Sequence, residues 1–153
     1  MQNQNAWFTV DKKQLMQELG QERLKKALRS MLAIRHFETR AEAAYQQGHI
    51  GGFFHSYIGQ EAIATSCVDL LGQKPWYTTT YRCHAHALLL GVTAAEAMAE
   101  LFGKATGNAK GRGGSMHLFA QKLLGGYGIV GGHIPLAVGA AFSIKYLKQD
   151  TIS

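Results

Sequence analysis

The chain has 153 residues, enough for one core, with 46% hydrophobic and 17% charged side chains against about 25% charged in an ordinary soluble domain. Disorder along its whole length is excluded. The net charge of +6 is confined to one stretch: residues 101–149 hold six basic side chains (Lys104, Lys110, Arg112, Lys122, Lys145, Lys148) and no acidic one, while the rest holds ten of each.

Residues 1–10 read as a loose arm, and MQNQNAWFTV lacks the basic start and apolar run of a secretory signal, so the cytosol is the expected location. Asp11 is placed to cap a short helix, Lys12 to Leu19, closed by Gly20. From Gln21 to Gln47 apolar residues recur at helical spacing (Leu24, Leu28, Met31, Leu32, Phe37, Ala41, Ala44, Tyr45), which predicts a long helix with one packed face. A loop follows, His49 to Gly59, where Phe53, Phe54 and Tyr57 crowd His55 and read as wall rather than surface. An imidazole there can serve an anion or a proton transfer, although a lone histidine among aromatics is more often simply packed.

Gln60 to Leu71 reads as an amphipathic helix stopped by Gly72, and Trp76 to Tyr81 as a short strand of β-branched and aromatic residues. Arg82 falls just past that strand, where α/β folds bind ligands, and its fork of donors suits a diphosphate. Cys83 to Leu90 is a short helix whose His84 and His86, two apart, point apart and make no metal pair. Thr93 with Glu96 forms a capping box for a helix running to about Phe102. Two cysteines, Cys67 and Cys83, exclude a disulfide framework, fit a reducing compartment and read as buried thiols.

Glycine is in excess, 18 of 153, and 11 of the 18 fall between Gly103 and Gly139. The segment from Gly103 to Gly132 has no helical or strand period and reads as one long loop, a length that is usually functional. With its positive charge it suggests a cradle for a phosphate-bearing ligand. No Gly-Lys-Ser/Thr triplet occurs, so a phosphate-loop nucleotidase is disfavoured. A GxGxxG does occur, Gly126 to Gly131, with Asp150 nineteen residues beyond it. FAQKLLG ahead of it is not a clean buried strand and Asp150 precedes the next strand, so a dinucleotide fold is set aside.

His133 to Lys148 is predicted as a helix with small residues (Ala137, Gly139, Ala140, Ala141) on a buried face. Leu123 to Ile144 carries no charged side chain over 22 residues, but six glycines, His133 and Pro135 argue against a membrane span. QDTIS reads as the start of a strand, so the chain is expected to be cut short. Helices first, then alternating strand and helix, predict an α/β fold with a parallel sheet flanked by helices.

Four blocks in order, GFFHSYIGQEA (52–62), TTTYRCHAH (78–86), AKGRGGSMH (109–117) and GGYGIVGGHIPLAVGAA (125–141), make a more specific pattern than any one glycine motif. Together they closely resemble the pyruvate dehydrogenase alpha-subunit family, from about Leu24 to the last residue. The resemblance implies the thiamine-diphosphate-binding fold, with residues 1–20 an arm and short helix and 21–153 the N-terminal part of the dehydrogenase domain. It implies that Tyr81 and Arg82 bind the cofactor diphosphate, and that Gly128 and Val130 meet the aminopyrimidine through backbone atoms. His55 is implied beside the reacting carbon and the 2-oxo acid as the catalytic residue, with Ala120 lining the substrate side.

The implied reaction is oxidative decarboxylation of pyruvate with transfer of the acetyl unit to a lipoyl group of the acyltransferase component. The implied partner is a beta subunit, in a heterotetramer, supplying the glutamate that activates the cofactor. Mg2+ on the diphosphate is implied to be held by Gly-Asp-Gly and a following Asn, which this chain does not contain, and residues 101–149 offer no carboxylate for it. The 153 residues alone are therefore expected to bind the cofactor weakly and to catalyse nothing. Acetoin and branched-chain 2-oxo acid dehydrogenases are the rivals within this class, GGSMH favouring pyruvate or acetoin. From other classes, a basic-loop nucleic-acid module would show steep salt dependence, and a partner-binding piece would use the helix 21–47 as its contact surface.

Overall fold

The computed structural model describes residues 11–153, so the arm expected over residues 1–10 lies outside the described residues. Six helices and two strands follow one another: α1 (Lys12–Leu19), α2 (Gln21–Gln46), α3 (Glu61–Leu71), β1 (Tyr77–Thr80), α4 (His84–Leu89), α5 (Ala94–Leu101), β2 (Leu123–Tyr127) and α6 (His133–Tyr146). The strands pair in parallel, with Thr80 opposite Tyr127, which bears out the α/β expectation. A parallel pair needs a long crossover; here residues 81–122 supply it through α4, α5 and the first half of the glycine-rich segment.

Local signals set most boundaries. The Asp11 carboxylate accepts the Lys13 amide at 2.8 Å, satisfying one of the free N–H groups at the start of α1. Thr93 and Glu96 exchange bonds in the capping box that starts α5. On α2 the buried stripe is Ile34, Phe37, Glu38 and Ala41, an i, i+3, i+4, i+7 pattern, while Leu28 and Leu32 are half exposed. One face packs as expected, but its centre includes a glutamate that hydropathy places outside.

Phe37, Ala41, Ile50, Tyr77 and Leu123 share a core with Cys83, Leu101 and Leu118, which joins α2 to both strands. A second cluster, Ile34, Tyr57, Ala64 and Ala85, fixes α2 against α3 and α4. Cys83 lies in the first of these, its thiol pushed up to about 12 by burial, whereas Cys67 is exposed on the outer side of α3 and corrects the reading of two buried thiols.

Four further expectations change. The segment from Gly103 to Gly132 is not all loop, because LLGGY forms β2 inside it. Its glycines hide the strand from β-propensity, yet they are what lets it pack: a Cβ at Gly126 would lie 2.5 Å from the Met116 carbonyl and 2.6 Å from Cys83. The strand, glycine turn and helix order found wanting around Gly126 to Gly131 is therefore present.

Helix α6 lies against β1, but the small-residue face expected to be buried is not, Ile144 being its one buried residue. Residues 149–153 form no strand; they run beside the start of β1, where the Trp76 amide donates to the Ile152 carbonyl at 3.0 Å. Among the described residues no helix is long and apolar enough to cross a membrane.

Candidate cofactor site

The parallel register brings the ends of both strands to one place. Tyr81 and Arg82 follow β1 directly, Gly128 follows β2 directly, and Thr80 and Tyr127 are paired just before them. Ligands in open parallel sheets bind beyond such carboxyl ends, where the chain turns away and leaves a crevice.

The loop before α3 closes over the same end. Its far side is anchored by Glu61, which accepts the Gly59 amide at 3.0 Å and an Arg35 bond at 2.5 Å. The Arg35 guanidinium and the nearby amides hold the Glu61 carboxyl below its ordinary range despite burial. Arg82 then ties the loop to β1 by donating from Nη1 to the Ser56 carbonyl. As a result His55 sits on Tyr81, ring centroids 4.3 Å apart. A cleft of about 340 Å3 opens beside them, lined by Glu42, Tyr45, Phe54, His55, Ser56 and Arg82. Phe54 forms wall as expected, but Tyr57 is buried in the core and Phe53 is 71% exposed, so neither lines the cleft.

Beyond β2, residues 128–132 turn into the first turn of α6, with Ile129 and Val130 about 80% exposed at 80% and 81%. His55, Tyr81, Arg82, Gly128 and Val130 thus share one end of the sheet. Ala120 does not join them: it bridges to Leu123 at the opposite end of β2, five positions or about 16 Å along the strand from Gly128.

The glycine-rich loop itself is no open anion cradle. The Glu100 carboxylate, fully buried at the end of α5, accepts the amides of Ala109, Gly111 and Gly113 at 2.8, 2.9 and 2.6 Å. Burial alone would raise this carboxyl, but those amides together hold it below its ordinary value. The nest is filled by the chain's own anion, and Lys104, Lys110 and Arg112 point out to solvent around it. The basic residues of 101–149 are therefore not the walls of the cleft, whose cation is Arg82.

Two further groups escaped the sequence reading. His84 bonds the Glu38 carboxylate at 2.8 Å and the Ser115 carbonyl and hydroxyl at 2.8 and 3.0 Å. Carboxylate, imidazole and hydroxyl stand in hydrolase order, but all three are sealed from solvent, so the set joins α2, α4 and the glycine-rich loop rather than meeting a substrate. His117 approaches the Gly113 carbonyl at 3.1 Å and the Gly128 amide at 3.3 Å. A histidine ending a glycine-rich block was the available signal for it.

The family described as dehydrogenase E1 component matches residues 29–153. The chain belongs to this family. It is 48% identical over 130 residues to the pyruvate dehydrogenase E1 component subunit alpha of Rickettsia bellii, covering 83% of this chain and 40% of that protein. The chloroplastic subunit alpha-3 of Oryza sativa is 49% identical over 127 residues, covering 79% and 30%. The subunit alpha of Porphyra purpurea is 47% identical over 121 residues, covering 78% and 35%. This dehydrogenase E1 chain thus spans two fifths or less of the length of these relatives.

Proposed function

We propose that the chain is the N-terminal part of a pyruvate dehydrogenase E1 alpha subunit and supplies one side of its thiamine diphosphate pocket. The observation that carries this reading is the parallel register that sets Tyr81 and Arg82 beside Gly128 at one end of the sheet. The donor set fits the group. Ser56 O occupies one Arg82 nitrogen and leaves the rest of the fork for a diphosphate, with the Tyr81 phenol beside it. The turn after β2 exposes Val130 and leaves its backbone, with the Gly128 carbonyl, to a flat heteroaromatic ring, the Gly128 amide being held by His117. When bound, thiamine diphosphate supplies the electron sink for decarboxylating a 2-oxo acid.

The chain's own part is to bind, orient and handle protons. Arg82 neutralises the anionic end, His55 on its Tyr81 platform gives or takes a proton at the cleft, and Phe54 narrows access by water. The matching relatives are named for pyruvate, which supports that substrate over acetoin or branched-chain acids. Mg2+ is assigned no ligand here: among the described residues no three His, Cys, Asp or Glu side chains could hold a metal ion. A beta subunit and the lipoyl group of an acyltransferase component complete the reading.

Calorimetric titration of the chain assembled with the beta subunit tests it. Arg82→Ala is expected to weaken thiamine diphosphate by about 10- to 100-fold, the worth of hydrogen bonds to a charged group at about 1.5–3 kcal/mol, and to leave unphosphorylated thiamine almost unaffected. Equal weakening of both ligands would overturn the assignment of Arg82 to the diphosphate. Pyruvate turnover by the 153 residues alone, with an artificial electron acceptor, would overturn the division of the site.

A further inference from the structure

His117 lies outside the residues assigned to the cofactor, yet its two ring nitrogens bridge the two glycine-rich stretches. The Gly113 carbonyl can only accept, so Nδ1 carries the proton; the Gly128 amide can only donate, so Nε2 presents its lone pair. One tautomer serves both partners. The bridge has a firm abutment, because the amide of the same Gly113 is held by the buried Glu100 carboxylate at 2.6 Å. The other end is the first residue beyond β2, and the residues that follow it, Ile129 and Val130, are exposed and packed by little else. The contact is close without crowding: a Cβ on Gly128 would lie 3.4 Å from His117 Nε2 and from the end of Met116, at ordinary van der Waals distance.

We infer that His117 is a positioning residue: it ties Gly128 to the Glu100-centred loop and so holds the turn whose backbone meets the cofactor. The cofactor part rests on the pyruvate dehydrogenase reading; the tie itself does not. Without it the turn has no side-chain bond to the body of the chain at Gly128, and its order must be restored at the moment of binding, which lowers affinity.

Asparagine places its amide nitrogen where Nδ1 stands, and glutamine reaches where Nε2 stands. His117→Asn therefore keeps the Gly113 end and loses Gly128, while His117→Gln keeps Gly128. Amide hydrogen exchange on the full chain reads the tie directly. Exchange at Gly128 is expected to rise about tenfold in His117→Asn and His117→Ala, the worth of one neutral hydrogen bond, and to stay near the unsubstituted rate in His117→Gln. Thiamine diphosphate affinity of the chain with its beta subunit is expected to fall in the same order. Equal Gly128 exchange in all four proteins overturns the tie, whatever the cofactor does. Exchange that follows the expected order with unchanged affinity overturns the positioning role. A tie that holds in a chain that binds no thiamine diphosphate overturns the cofactor reading instead.

Discussion

Two glycine-rich stretches of this chain look alike in sequence and are put to opposite uses. Residues 103–114 wrap their amides around Glu100, an anion supplied from within and sealed from water. Residues 125–132 begin as a buried strand and end as an exposed turn. A ring of backbone donors needs an acceptor. In the first stretch that acceptor is one carboxylate and the loop is a structural joint; in the second, the Gly126, Gly128 and Gly132 amides each find a separate partner, and the stretch ends in a turn with Ile129 and Val130 open to solvent.

The largest test of that contrast is Glu100→Gln. It leaves the nest without its charge and at least one buried amide without an acceptor, and is expected to cost about 3 kcal/mol or more in urea unfolding at neutral pH. The folded carboxyl lies below its ordinary value of 4.5, so its stabilisation is complete above that value and is lost as pH falls through the lower folded one. The gap between Glu100→Gln and the unsubstituted chain should therefore close in strong acid. A gap independent of pH would show that the carboxylate is not the organising anion.

A smaller but sharper test compares glycines. A Cβ at Gly113 would stand 2.3 Å from the His117 carbonyl, so Gly113→Ala is expected to cost about 1–3 kcal/mol by overpacking. Gly128→Ala meets nothing closer than 3.4 Å and should change stability by less than about 0.5 kcal/mol, its effect appearing in ligand affinity instead. If thermal unfolding ranks the two the other way, the structural and ligand-facing roles of the stretches are exchanged.

Legibility followed the range of the interaction that decides each feature. Helices α1 and α5 were readable because their caps, Asp11 and Thr93 with Glu96, act within a few residues. β2 was not, because LLGGY has low β-propensity and forms a strand only where its glycines let Met116 and Cys83 approach. The stripe on α2 was displaced because Glu38 is buried by a partner 46 residues away, His84. The small residues of α6, Ala137, Gly139, Ala140 and Ala141, were read as a buried face from composition alone, and none of them is buried.

For the site, four motif blocks in order carry the resemblance that nominates His55, Tyr81, Arg82, Gly128 and Val130, and the family match over residues 29–153 agrees with the family they indicate. That much is linear information. Only the tertiary structure decided that these residues share one end of a parallel sheet, that Ala120 lies at the other, and that the charge of residues 101–149 surrounds a nest already filled by Glu100. The reason is that register, long-range pairing and the competition of an internal anion for backbone donors are settled between residues 9 to 47 positions apart, where no local pattern reaches.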